Sequence, residues 1–183
     1  MPSELVSAIV LLVLVTDPFG NVPLAVAAMR GVPRERRLRV IARECLIAYA
    51  LLLVFLFGGK AFLALMHLSE ASLSIAGGVI LFLIARRMVF AHPDGVFGDT
   101  PVAEPFIVPL AIPAIAGPSA LATVMLMASR TPDALPSLVV AVSVAMLVTV
   151  VVLAAADRVH RVIGERGVLA MERLMGLVLT ALA

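Results

Sequence analysis

Thr16-Asp17-Pro18-Phe19-Gly20-Asn21-Val22-Pro23 interrupts a stretch that is otherwise almost wholly apolar from the first residue to Met29. It combines a carboxylate and an amide, which can hold a cation or an ammonium group, with two prolines and a glycine, which break a helix and free its backbone N–H and C=O groups. Gly117-Pro118-Ser119 repeats the device inside a second apolar block, Phe106 to Ala128. An ionisable residue at bilayer depth is costly and marks a functional site by default. Irregular backbone at that depth survives only where it is buried in protein or lines a cavity. The chemistry these residues offer is binding.

Asn21 is positioned to cap a new half-helix, with Pro23 in its first turn, where a missing N–H costs nothing. In the second block Gly117 or Ser119 can cap, with Pro118 opening the new half. Two helix N-termini then lie near the bilayer centre, each with free N–H groups and partial positive charge. An amino acid's carboxylate suits such an end. Its ammonium group suits Asp17 or the carbonyls unwound by the prolines. A single-proline kink in a packed bundle would explain either motif alone; two at matching positions favour a functional break.

The elements that carry these motifs are membrane helices. Of 183 residues, 62% are hydrophobic and 14% charged, with mean hydropathy +1.14. A soluble domain carries about a quarter charged residues. The apolar blocks are about 20 residues long, enough to span roughly 30 Å of hydrocarbon. Six spans are predicted: Leu5–Met29, Cys45–Leu65, Leu73–Val89, Phe106–Ala128, Leu135–Ala156 and Val168–Ala183. They lack the short alternation of a β-barrel, so they are helices. The first runs about 37 Å at helical rise, with Asp17 near its middle.

The basic residues set the orientation. Arg30, Arg34, Arg36, Arg37, Arg39 and Arg43 fill the first loop, Arg86 and Arg87 begin the third, and Arg158, Arg161 and Arg166 stand in the fifth. The second loop has none and the fourth only Arg130. Odd loops are therefore expected in the cytoplasm and both termini outside, in a multi-pass protein of the inner (plasma) membrane. The pI near 9.3 follows from these loop arginines and does not call for nucleic acid. A cleaved signal peptide is the rival reading of the first span. It is disfavoured because Glu4, with no basic residue, precedes the apolar run, and prolines interrupt it.

Asp17-Pro18 falls against Gly117-Pro118, and Arg30 against Arg130, at one constant offset. With the offset two shorter, Gly78-Val79-Ile80-Leu81 falls against Gly176-Leu177-Val178-Leu179. Three spans per half force the second half to enter from the opposite side. The predicted fold is an all-α membrane protein of two inverted three-helix repeats, residues 1–85 and 106–183, joined by a cytoplasmic linker, 86–105. Spans one and four are broken near the midplane, where such folds place their site.

The segment Asp17-Pro18-Phe19-Gly20-Asn21-Val22-Pro23 resembles the D-P-x-G-x-x-P motif of the MarC/SnatA family (the UPF0056 group) of bacterial and archaeal membrane proteins. Pro109-Leu110-Ala111-Ile112-Pro113 with Ala116-Gly117-Pro118 is similar to that family's second motif, and Glu172-Arg173-Leu174-Met175-Gly176 to the start of its last helix. The resemblance covers essentially the whole chain. Ser119 departs from it, standing where many members have glycine, and the resemblance implies a last helix longer than Val168–Ala183. It further implies transport of small neutral amino acids such as glycine and alanine, with Asp17, Gly20, Asn21, Pro23, Gly117 and Pro118 forming the site. Ser119 and Thr123 are added from the reading of the break itself.

Arg173 could neutralise Asp17 or another carboxylate, or snorkel to the cytoplasmic surface. Lys60 sits near the outer end of its span and is expected to snorkel. His67, His92 and His160 lie far apart in loops, so no metal site is expected. Cys45 is alone, which excludes an internal disulfide. No catalytic residue and no cofactor is expected beyond a coupling proton or sodium ion, since no nucleotide motif is present. An intramembrane enzyme would need a nucleophile and base or paired carboxylates at depth, and no H-E-x-x-H motif occurs. The function expected is a secondary transporter with a small amino acid and the bilayer as partners, compatible with a homo-oligomer. A channel and a non-transporting assembly factor are the alternatives.

Overall fold

The computed structural model describes residues 2–29, 31–65, 67, 69–90, 105–156 and, towards the C-terminus, 158, 164, 166–167, 169–170, 173–174, 176–177 and 180–181. Most of the predicted linker, His92, His160 and Glu172 lie outside the described residues. Over the described residues the protein is helical, with one isolated bridge, Phe106 to Val108, in place of any strand. The helices are α1 (Pro2–Thr16), α2 (Val22–Ala28), α3 (Arg34–Leu65), α4 (Glu70–Val89), α5 (Pro118–Arg130) and α6 (Leu135–Ala154). A π-helical turn, Leu110–Ile115, precedes α5.

The first expected span is indeed two helices, α1 and α2, separated at residues 17–21. The second begins earlier than hydropathy suggests: α3 starts at Arg34, so Arg43 and Glu44 lie within a helix and not in a loop. Arginine and glutamate are good helix formers, and a polar first stretch leaves the helix ladder intact. Ser69 caps α4, its hydroxyl accepting the Ser72 N–H at 3.0 Å, which satisfies one of the orphan donors of a helix start. Helix α3 over Arg34–Gly59, and Pro132–Ala154 with α6, are long and apolar enough to cross a bilayer.

Packing follows membrane rules. Buried positions are rich in alanine: Ala8, Ala25, Ala27, Ala28, Ala48, Ala85, Ala111, Ala120, Ala141 and Ala145. Large apolar side chains such as Val10, Leu14, Leu46, Phe57, Phe82, Leu147 and Val151 are exposed. In water such a surface would be an aggregation liability; in lipid it is the solvent-facing side. With no hydrophobic drive between helices there, small residues that let backbones approach supply the association. Helix α1 packs on α6, α5 on α3, and α3 also on α6 and on the π-helical turn. Tyr49 of α3 and Ser143 of α6 share a hydrogen bond of 2.8 Å between their hydroxyls. Near the C-terminus Gly176 backs closely onto α4, where an added Cβ would stand 2.9 Å from Met88 Cβ and 3.0 Å from the Ala85 carbonyl oxygen.

Candidate site at the two helix breaks

The first break is a tight turn held by Asp17. The residue takes a left-handed conformation, φ 40°, which aspartate tolerates better than most residues. Its backbone N–H donates to the Val13 carbonyl at 3.1 Å, closing α1, and its own carbonyl accepts from Asn21 N–H at 3.1 Å. The Asp17 Oδ1 accepts the Gly20 N–H at 3.0 Å. A Cβ at Gly20 would meet Asp17 Oδ2 at 2.0 Å, so the carboxylate and the glycine form one unit. Asp17 itself is exposed. One oxygen of the carboxylate read from sequence as an ion receptor caps the turn.

Asn21 is the buried polar member of the turn. It holds the N-cap position of α2, but with helical dihedrals and no side-chain cap. Its Nδ2 instead donates to the Thr16 carbonyl at 3.0 Å and to the Ala114 carbonyl at 3.1 Å. One amide thus ties the end of α1 to the π-helical turn of the second break. Each bond contributes about 1 kcal/mol net, and each carbonyl left unpaired in a dry site would cost more. The Thr16 hydroxyl donates to the Leu12 carbonyl at 2.9 Å, completing the end of α1. Pro23 is buried in the first turn of α2, as its missing N–H permits.

The second break is built from prolines. Ile112 stands before Pro113 and adopts φ −131°, ψ 131°, the extended region forced on a residue preceding proline. The ladder re-forms one step wider, with Ile112 N–H to Ile107 carbonyl at 2.9 Å and Ala116 N–H to Ala111 carbonyl at 2.9 Å. Gly117 is the N-cap of α5 and Pro118 its first residue. A Cβ on Gly117 would lie 2.6 Å from the Pro113 carbonyl oxygen, so glycine is needed for close approach. The first α5 bond runs from Leu121 N–H to Gly117 carbonyl at 3.0 Å, which leaves the N–H groups of Ser119 and Ala120 without an intrahelical acceptor.

The remaining sequence candidates fall less centrally. Ser119 is exposed and Thr123 half-buried, and the Thr123 hydroxyl returns to the Ser119 carbonyl at 2.7 Å. Arg173 is exposed, and among the described residues no ion pair joins it to Asp17. No group of ligating residues suited to a metal occurs among the described residues.

One ionisable residue escaped the sequence reading. Glu44 of α3 has a fully buried side chain. Its Oε1 accepts from Arg43 Nε at 3.1 Å and from Arg43 Nη2 at 3.0 Å, while Oε2 is buried and, among the described residues, has no hydrogen-bond partner. The same Nη2 reaches the Pro105 carbonyl, and the guanidinium lies 5.2 Å from the centroid of the Phe106 ring. The signal was present in the spacing, since Glu44 stands in phase with Ile41, Cys45, Ala48 and Leu52, all of them buried.

The family described as MarC family integral membrane protein matches residues 2–183. The chain is 45% identical over 182 residues to the UPF0056 inner membrane protein YhgN of Escherichia coli (strain K12), covering 99% of this chain and 92% of the relative. It is 41% identical over 181 residues to a UPF0056 membrane protein of Buchnera aphidicola subsp. Schizaphis graminum, at 99% and 92% coverage. With the UPF0056 membrane protein MJ0972 of Methanocaldococcus jannaschii it shares 32% identity over 176 residues, covering 91% of this chain and 77% of the relative. No solved structure matches.

Proposed function

The chain belongs to the MarC family of integral membrane proteins, and from that premise we propose that it is a secondary transporter of small neutral amino acids and not an enzyme. The observation that carries this reading is the Asn21 amide, which joins the two helix breaks at the Ala114 carbonyl. Broken helices that face each other across the molecule are the arrangement in which transporters hold substrate. The start of α5, with its free Ser119 and Ala120 N–H groups, suits a substrate carboxylate. The carbonyls unwound in the π-helical turn suit its ammonium group, while Asp17 keeps the first turn in shape.

Two inverted repeats, 1–85 and 106–183 with six spans in all, give the packing its logic. A two-fold axis in the membrane plane pairs span one with span four and span two with span five. The α1–α6 contact is then the counterpart of the α5–α3 contact. The buried stripes of α3 and α6 also coincide at one offset: Ile41 with Leu138, Cys45 with Val142, Ala48 with Ala145, Leu52 with Thr149 and Leu56 with Leu153. With Phe106 beside Arg43 and Met125 beside Gly59, the fourth span runs parallel to α3. That is what odd loops in the cytoplasm and both termini outside require.

Purified protein in liposomes, offered a labelled amino-acid panel under imposed proton and sodium gradients, tests the proposal. Saturable uptake driven by one of the gradients is the expected result. Flux linear in concentration would make the protein a channel, and no flux of any amino acid would leave an assembly role.

A further inference from the structure

Resting on the transport reading above, we propose that Glu44 takes up and releases the coupling proton, and that Arg43 ties this exchange to the second break. The two oxygens of the Glu44 carboxylate are held unequally. Oε1 is held by the Arg43 guanidinium at 3.0 Å, whereas Oε2 is buried with no hydrogen-bond partner among the described residues. The Arg43 guanidinium is itself shared. It also holds the Pro105 carbonyl and lies over the Phe106 ring, the residues that lead into the π-helical turn. One cation therefore divides between a carboxylate on α3 and the chain entering the second break.

Any movement of that break which draws Arg43 away strips Glu44 of its counter-charge. A buried ion left without its partner is strongly destabilising. Adding a proton at Oε2 removes the charge and leaves a neutral carboxylic acid, while Arg43 keeps its own charge. Return of Arg43 restores the pair and releases the proton. Proton exchange at Glu44 and movement of the second break become one event.

Among the described residues, few charges compete. The π-helical turn and α6 carry no ionisable side chain, and α5 carries only Arg130, at its last residue. Because Met125 of α5 sits against Gly59 of α3, Arg130 lies beyond a level already about 22 Å along α3 from Glu44. On α3 itself the adjacent titratable groups are Arg43 and the buried Cys45. A metal cation would want a shell of several oxygens, but here one free carboxylate oxygen stands beside a guanidinium. A proton needs one oxygen.

The test is infrared difference titration of the full chain in liposomes, followed at the carbonyl stretch of a protonated carboxyl. The wild type should show a pH-dependent band that is lost in Glu44→Gln and retained in Asp17→Asn. Glu44→Asp should move the band's frequency instead of deleting it, which covers the case of a Gln variant that does not assemble. Amino-acid uptake driven by a proton gradient should be lost in Glu44→Gln, and amino-acid exchange should lose its dependence on pH. A band that persists unchanged in both Glu44 variants, or a wild type with no titrating band while folded, would overturn the assignment. Because the band is read without substrate, a wild type that moves no amino acid would count against transport and leave the result on Glu44 standing.

Discussion

An amide nitrogen can donate two hydrogen bonds and a carboxylate can donate none, and the first break uses that difference. Asn21 spends both donors on carbonyls of different segments, whereas Asp17 accepts from the turn beside it. Asn21→Asp keeps the size but turns a double donor into an anion facing two carbonyl oxygens. It should lower stability by on the order of 3 kcal/mol and abolish uptake. Asn21→Ala leaves the carbonyls of Thr16 and Ala114 unpaired and should cost about 1–3 kcal/mol. Thermal unfolding in detergent measures both. Asp17 predicts the opposite pattern, because asparagine accepts the Gly20 N–H and tolerates φ 40° about as well. Asp17→Asn should therefore keep wild-type stability and uptake, while Asp17→Ala should lose about 1–2 kcal/mol of cap. A folded Asp17→Asn variant that no longer transports would return the Asp17 carboxylate to the binding site as an ionic group.

Element boundaries at the breaks were readable from sequence because prolines and glycines act locally. Pro18, Pro23 and Pro118 each remove a donor wherever the chain goes next, and the helices stop and restart where the prolines stand. The π-helical turn was not readable in its form. Pro109 and Pro113 say that the regular ladder fails over Leu110–Ile115, but not that it re-forms one residue wider. Nor did hydropathy place Glu44 in the interior, although its phase with the buried Ile41, Cys45, Ala48 and Leu52 carried the signal. Arg36, Arg37, Arg39 and Arg43 just before it make the hydropathy window read loop, yet the helix begins at Arg34 and turns Glu44 inward. The Asn21–Ala114 bond was out of reach for a different reason, being a contact between segments far apart in the chain. Glycine chemistry offers an element-scale test. Gly117→Ala drives a Cβ to 2.6 Å from the Pro113 carbonyl oxygen, so the second break must shift and uptake should fall with insertion preserved. Gly58→Ala meets nothing within 4 Å and should be neutral, or stabilise α3 by up to about 1 kcal/mol through helix propensity. Equal uptake in the two variants would remove the need for close approach at Gly117.

At the scale of the whole molecule, the exposed apolar shell and the alanine-lined interior are what a bilayer requires, and they bear on which end of each helix meets which aqueous phase. The N-terminal third of α3, which follows the first loop, lies beside the chain entering the second break, because Arg43 holds Pro105 and Phe106. The opposite end of the same pair is marked by Gly59 against Met125, close to the turn Pro132–Ala134 that leads into α6. Gly31 and Asp133, both exposed, therefore report on opposite faces. The arginine-rich first loop predicts that the Gly31 face meets the cytoplasm. In a background where Cys45 is replaced by alanine, Gly31→Cys and Asp133→Cys make two single-cysteine proteins. A membrane-impermeant maleimide should label Asp133→Cys in sealed cells and Gly31→Cys only after the membrane is opened. Labelling of both from outside would break the parallel course of α3 and α5 across the bilayer, and with it the proposed two-fold relation between the halves. Labelling of Gly31→Cys alone would keep that relation and invert the protein in its membrane, so the arginine bias and the fold are tested separately by one pair of variants.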